Sequence, residues 1–154
     1  MAKYLGIPLT VSNGNKTPLT AQPELVANGD FSDGTTDWSG QNATIAVVGG
    51  ELEVTSTSGF GKAVQSTTTV VGKSYTLSAK VTAGTTIARL ELFSSPSLLQ
   101  SGSIGETVSS GSQQVSLSFV ATATTTEVQL KCQSASLGTA YFDNISVKEI
   151  AATE

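Results

Sequence analysis

The chain predicts an all-β fold: an antiparallel β-sandwich or jelly roll preceded by an extended N-terminal arm. Three observations carry this. Short segments alternate apolar and polar residues with period two across most of the chain. Glycine-containing turns separate them, Gly49-Gly50 being the clearest hairpin signal. No stretch shows the 3.6-residue period of an amphipathic helix. Short alternating strands at this spacing build sandwiches and jelly rolls.

The elements follow in order. Residues 1–23 form the arm. Met1 to Leu9 has the length of one short strand, Ser12-Asn13-Gly14-Asn15-Lys16 reads as a turn, and Pro18 and Pro23 discourage pairing. Tyr4, Leu5, Ile7, Leu9 and Val11 make this segment more apolar than a typical free tail. It reads either as an arm that docks on a neighbouring subunit or as a disordered terminus. Residues 24–150 are the sandwich and 151–154 a short tail. Ala43 to Val48 and Glu51 to Ser56 flank the glycine turn. Phe60 to Val71 is rich in β-branched residues. Ser74 to Ala83 places Tyr75, Leu77, Ala79 and Val81 on one face. Ile87 to Phe93 turns Ala88, Leu90 and Leu92 inward, with Arg89 and Glu91 outward. Gln114 to Ala121 buries Val115, Leu117 and Phe119. Glu127 to Cys132 buries Val128, Leu130 and Cys132, and Tyr141 to Ile150 closes the sheet. The total is eight or nine strands. Ser94 to Ser112 is irregular and long for a loop, so it reads as functional or as a variable surface segment.

Composition narrows the function classes. Charged residues are 13% of the chain, against about 25% in an average protein, so solubility rests on Ser, Thr, Asn and Gln. The net charge is −4, and the eight basic residues are scattered along the sequence. No basic stripe for phosphate contacts is visible, which argues against nucleic-acid binding. No basic amphipathic helix or long apolar run points to a membrane. The chain has no histidine, which excludes Ser-His-Asp triads and the commonest general base. Asp33 and Asp37 sit in a Gly/Thr-rich turn and read as turn formers, not as a glycosidase pair. The expectation is a protein without catalysis. Cys132 is the single cysteine; its phase with Val128 and Leu130 marks it as a core residue rather than a reactive thiol. The N-terminus lacks the apolar segment of a signal peptide, which predicts synthesis in a host cytoplasm without export by the general secretory route.

Three pieces of sequence carry a family resemblance. The first is Asn28-Gly29-Asp30-Phe31-Ser32, followed by Asp37-Trp38. The second is Gly61-Lys62-Ala63-Val64-Gln65 with Val70-Val71-Gly72-Lys73-Ser74-Tyr75-Thr76-Leu77-Ser78. The third is Ala140-Tyr141-Phe142-Asp143-Asn144-Ile145-Ser146-Val147. In this order and spacing they resemble the carbohydrate-binding-module jelly rolls of the family 4/9/22 type. The resemblance covers roughly residues 24–150 and implies two facing antiparallel sheets. In many members it also implies a structural calcium ion joining the first and last strands. Asp143 matches the acidic residue of the terminal strand and the loop at Asp30 matches the opening one, so these two would be the ligands. Where many metal-binding members have an acidic residue this chain has Ser32. The other reading makes Asp30 a turn former and Asp143 an acceptor of backbone hydrogen bonds.

Sugar binding would need an aromatic platform. Trp38 and Phe60 are the candidates, although Trp38 also matches a common packing position of the family. Such domains occur in glycan-degrading enzymes and in phage tail and capsid proteins. The resemblance, the apolar arm and the weakly charged surface together suggest a phage virion structural protein. The form expected is a capsid decoration (cement) protein located in the virion. Its partners would be the major capsid protein or other virion subunits, and its own state a homo-oligomer, with a trimer the natural geometry. The alternative is a non-catalytic carbohydrate-binding module with a glycan partner, for host attachment or as an accessory to a glycan-degrading enzyme.

Overall fold

Alternation along the chain becomes two antiparallel sheets in the computed structural model, which describes residues 21–94, 97–98 and 105–152. The arm residues Tyr4, Leu5, Ile7, Leu9 and Val11 lie outside the described residues. Eleven strands occur among those described: β1 (Ser39–Gln41), β2 (Ala43–Val48), β3 (Glu51–Ser56), β4 (Lys62–Thr68), β5 (Ser74–Ala83), β6 (Ala88–Ser94), β7 (Ser97–Leu98), β8 (Gly105–Val108), β9 (Ser112–Val120), β10 (Thr125–Cys132) and β11 (Thr139–Glu149). One sheet runs β1-β4-β10-β6-β7, with β8 also paired to β6; we call it the front sheet. The back sheet runs β2-β3-β11-β5-β9. This is the β-sandwich jelly roll that the alternation predicts.

The inner faces meet as the period-two pattern requires. From the front sheet come Ala63, Val128, Leu130, Cys132, Ala88, Leu90 and Leu92; from the back sheet come Leu52, Val54, Leu77, Val81, Phe142 and Val147. Phe119 and Phe142 are among the largest fully buried side chains. The β2–β3 hairpin closes at Gly49 and Gly50, with φ of 62° and 88°, a turn that needs positive φ at both central residues. Strand β11 carries a bulge: its register with β5 shifts between Asp143 and Ser146, and Asn144 has φ 52°.

The opening segment seals one edge of the sandwich against that bulge. Leu25 donates its N–H to the carbonyl of Val147 at 3.0 Å, and Ile145 donates to the carbonyl of Gly29 at 2.9 Å. The Gln65 amide holds the same segment from the front sheet, accepting from Ala27 N at 2.8 Å and donating to Ala27 O at 2.9 Å.

Two parts of the fold differ from the expectation. Strand β1 is a fully exposed edge whose sequence has no apolar alternation. Strand β8 lies inside the segment read as irregular, and its Val108 enters the core cluster. Pairing with β4 and β6 orders these strands, and pairing partners are not written in a strand's own pattern.

Cys132 bridges the two sheets: its thiol donates to the Val54 carbonyl at 3.2 Å and has no solvent exposure. Burial is the main cause that pushes its pKa up. A buried neutral thiol is a poor nucleophile. A disulfide reagent such as DTNB at pH 8 should therefore leave the native protein unmodified and titrate the thiol only on denaturation. Prompt reaction of the folded protein would contradict this packing.

Candidate functional site

Every second residue of β4, β10 and β6 faces away from the core, and the register aligns them in rows across the front sheet. One row is Lys62–Lys131–Arg89, the next Val64–Gln129–Glu91, the next Ser66–Glu127–Phe93. The middle row is unusual. Val64, Gln129 and Glu91 are 7%, 4% and 6% exposed, yet none belongs to the core cluster. Side chains that point outward and are still this buried are covered by the side chains around them. The row's polar groups are held in place. Glu91 accepts from Arg89 Nε and lies 3.5 Å from Lys131 Nζ. Gln129 donates to Glu127 at 2.7 Å, and Arg89 donates to Thr107 at 3.2 Å.

Phe60 stands at the Lys62–Lys131–Arg89 end of this face. It is 45% exposed, and the Lys131 ammonium lies 5.4 Å from its ring centroid, within cation–π range. Its backbone is pinned. Phe60 has φ 51° and donates its N–H to Ser134 O at 2.6 Å. A Cβ at Gly59 would come within 2.5 Å of Ala135 O, and one at Gly61 would collide with Asn42 O. Packing thus requires glycine on both sides of the ring and leaves the ring itself in solvent. Nearby, Gln133 follows Gln129 and Lys131 on β10's outward phase. Its Oε1 is the one buried side-chain acceptor among the described residues that lacks a partner.

The back sheet presents a different outer face. The strand pattern leaves both Tyr75 and Tyr141 readable as core, but they part company. Tyr75 is buried and stacks on Phe119 with centroids 5.5 Å apart. Tyr141 faces outward between Glu53 and Thr82, and a hydrogen bond with Glu53 is the main cause that raises its pKa. Beside it, Lys80 pairs with Glu51 at 3.1 Å.

Trp38 is corrected by the structure. It is 6% exposed and sits in the core cluster. Its indole N–H donates to Asn28 O at 3.1 Å, and its ring lies 5.7 Å from Phe31. A buried aromatic with its polar edge satisfied is a packing residue and offers no platform, so of the two aromatic candidates only Phe60 presents a surface.

No protein-family model and no curated protein matches the sequence. Solved structures do match. A family 4 carbohydrate-binding module superposes with a TM-score of 0.68 at 15% identity, covering 81% of this chain and 99% of that one. The fold is that of a carbohydrate-binding module. A family 61 module in complex with β-1,4-galactotriose gives a TM-score of 0.57 at 10% identity, covering 83% of this chain and 99% of that one. The tailspike protein 4 enzymatically active domain of bacteriophage CBA120 gives 0.58 at 14% identity; 82% of this chain matches 21% of that one.

Calcium between the first and last strands, which the resemblance implies, can be set against the donors present. Asp30 is engaged within its own turn, accepting from Ser32 N at 3.2 Å and Ser32 Oγ at 2.9 Å. The backbone bond from Ser32 is the main cause that lowers its pKa. Asp143 accepts from Asn144 N at 2.8 Å. An open recess of ≈ 340 Å³ is lined by Glu24, Asp30, Asn144, Ser146 and Lys148 among others, but not by Asp143. No group of three or more His, Cys, Asp or Glu able to hold a metal occurs among the described residues. By themselves Asp30 and Asp143 offer four carboxylate oxygens, short of the six to eight that a calcium ion takes.

Glu24 makes the join instead. Its Oε1 accepts from Val26 N at 3.1 Å and Val147 N at 2.8 Å, and its Oε2 accepts from Ser146 Oγ at 2.6 Å. One carboxylate thus ties the opening segment to the last strand. Sequence reading passed over Glu24 because a lone exposed glutamate carries no motif. Replacing Glu24 with Ala should lower stability by about 1–2 kcal/mol, the scale of hydrogen bonds to a charged group, in urea unfolding. Adding calcium or EDTA should leave the melting temperature of the wild-type protein unchanged. A calcium-dependent rise would restore the metal.

Proposed function

We propose that this chain is a non-catalytic carbohydrate-binding module whose glycan lies along the outer face of the front sheet, across β4, β10 and β6. The observation that carries this reading is the buried, largely polar row flanked by a pinned, half-exposed Phe60. A pyranose ring presents a C–H face that stacks on an aromatic side chain. Its hydroxyls are read by amides and charged groups fixed in direction. Phe60 supplies the first requirement; Gln129, Glu91, Lys131 and Arg89 supply the second. Their mutual hydrogen bonds hold them before any ligand arrives, which limits the ordering cost of binding. The non-catalytic part of the reading is supported by the binding modules among the matching structures and by a chain without histidine.

A phage virion component is the second reading. The likeness to part of a phage tailspike protein supports it, and a virion protein that binds a glycan would satisfy both. The narrower role of capsid decoration, with a capsid partner and a trimer, draws its argument from the arm, and nothing in the comparisons bears on it.

The test is a glycan array followed by calorimetry on the best ligand. Phe60→Ala should weaken binding about tenfold or more, the effect of removing an aromatic anchor, with little change in melting temperature. Trp38→Ala should instead cost about 3–5 kcal/mol of stability, as large-to-small core substitutions do. An array without hits, or a Phe60→Ala protein that binds as well as wild type, would overturn the reading.

A further inference from the structure

Three of the chain's eight basic residues, scattered in sequence, come together in one cross-strand row. Lys62 is the register partner of Lys131 on one side, and Arg89 is its partner on the other. Like charges placed directly opposite on neighbouring strands destabilise a sheet, and nothing in the packing of this sandwich requires cations at these outward positions. The row is also sheltered: the Arg89 and Lys131 side chains are 15% and 19% exposed, so salt screens them less than it screens charges in open solvent.

Glu91 serves both Arg89 and Lys131, and Arg89 has further partners besides; Lys62 has no ion pair among the described residues. Glu127 shares the face two rows away, where it is engaged by Gln129. In a chain of net charge −4, Lys62 beside Phe60 is thus a cation without an ion-pair partner among the described residues. Strands spaced about 4.8 Å apart give the row a span of roughly 10 Å, close to the length of two linked pyranose rings.

We propose that the ligand of this face is an anionic glycan, one whose sugars carry carboxylates, with its carboxylate on the Lys62–Lys131–Arg89 row and a neighbouring ring stacked on Phe60. The inference rests on the glycan-binding reading above and adds the substrate class. Lys62 supplies the uncompensated charge. Lys131 is placed by Glu91 on one side and the Phe60 ring on the other, so stacking and charge recognition fall on adjacent units of the ligand. Neutral glycans would reach the same platform without the ionic contact.

The test uses the full chain and an array that carries each backbone in two forms, neutral and oxidised at C6 to the uronate, with affinities of matched pairs measured by calorimetry. Uronate forms should bind about tenfold tighter than their neutral counterparts, since charge-assisted hydrogen bonds are roughly twice as strong as neutral ones. That advantage should shrink as salt rises from 50 mM to 500 mM, roughly the regime where the Debye length falls below the reach of the row. Lys62→Gln should lower uronate affinity severalfold, while Lys80→Gln, on the back sheet, should leave it unchanged. Equal binding of neutral and uronate forms would overturn this inference and leave glycan binding standing. Failure of both forms to bind would overturn the inference together with the reading beneath it.

Discussion

The register of β10 between β4 and β6 is the constraint on which the rest of this molecule depends. With Val128, Leu130 and Cys132 turned inward, the strand completes the core, and its other face necessarily presents Glu127, Gln129 and Lys131. A slip of one residue would exchange the two sets. It would bury a lysine and expose three core side chains. Because the hydrophobic requirement is so strong, the outward row is placed with the same certainty as the core. The aligned groups of Lys62, Lys131 and Arg89 are therefore a consequence of packing on the opposite face of the same strands.

Much of this was legible in the sequence. The inward sets on β5, β6, β9 and β10 follow from period-two alternation, and the structure buries those residues apart from the partly buried Leu117. The glycine turn at Gly49-Gly50 follows from its need for positive φ. What the chain pattern does not contain is which strands become neighbours. Lys62 and Lys131 are 69 positions apart, and only the β4–β10 pairing makes them neighbours in one row. The same ignorance hid Tyr141, whose strand alternates on both sides of a bulge, and Glu24, whose three hydrogen bonds reach across to β11. Phe60 was legible because two glycines flank it. Trp38 was ambiguous because an aromatic beside a turn can serve as platform or as packing, and the Asn28 carbonyl that satisfies its indole decides for packing.

The two outer faces differ in character. The back face is edged by the Glu24 join and carries the Glu51–Lys80 and Lys73–Glu149 pairs. These are ordinary exposed contacts of small energetic weight. The front face holds the buried polar row, the unpaired acceptor of Gln133 and the pinned aromatic ring. An unpaired buried acceptor and a row of like charges both cost stability. Their concentration on one face is what the proposed binding surface rests on.

The most direct test of the central claim is an NMR titration of the isotope-labelled full chain with its best-binding glycan, following backbone amides. Perturbations concentrated in β4, β10, β6 and the turn at residues 59–61 are the predicted result. Perturbations confined to β3, β11 and β5 around Tyr141, with the front sheet unmoved, would show that the binding face has been assigned to the wrong side of the sandwich.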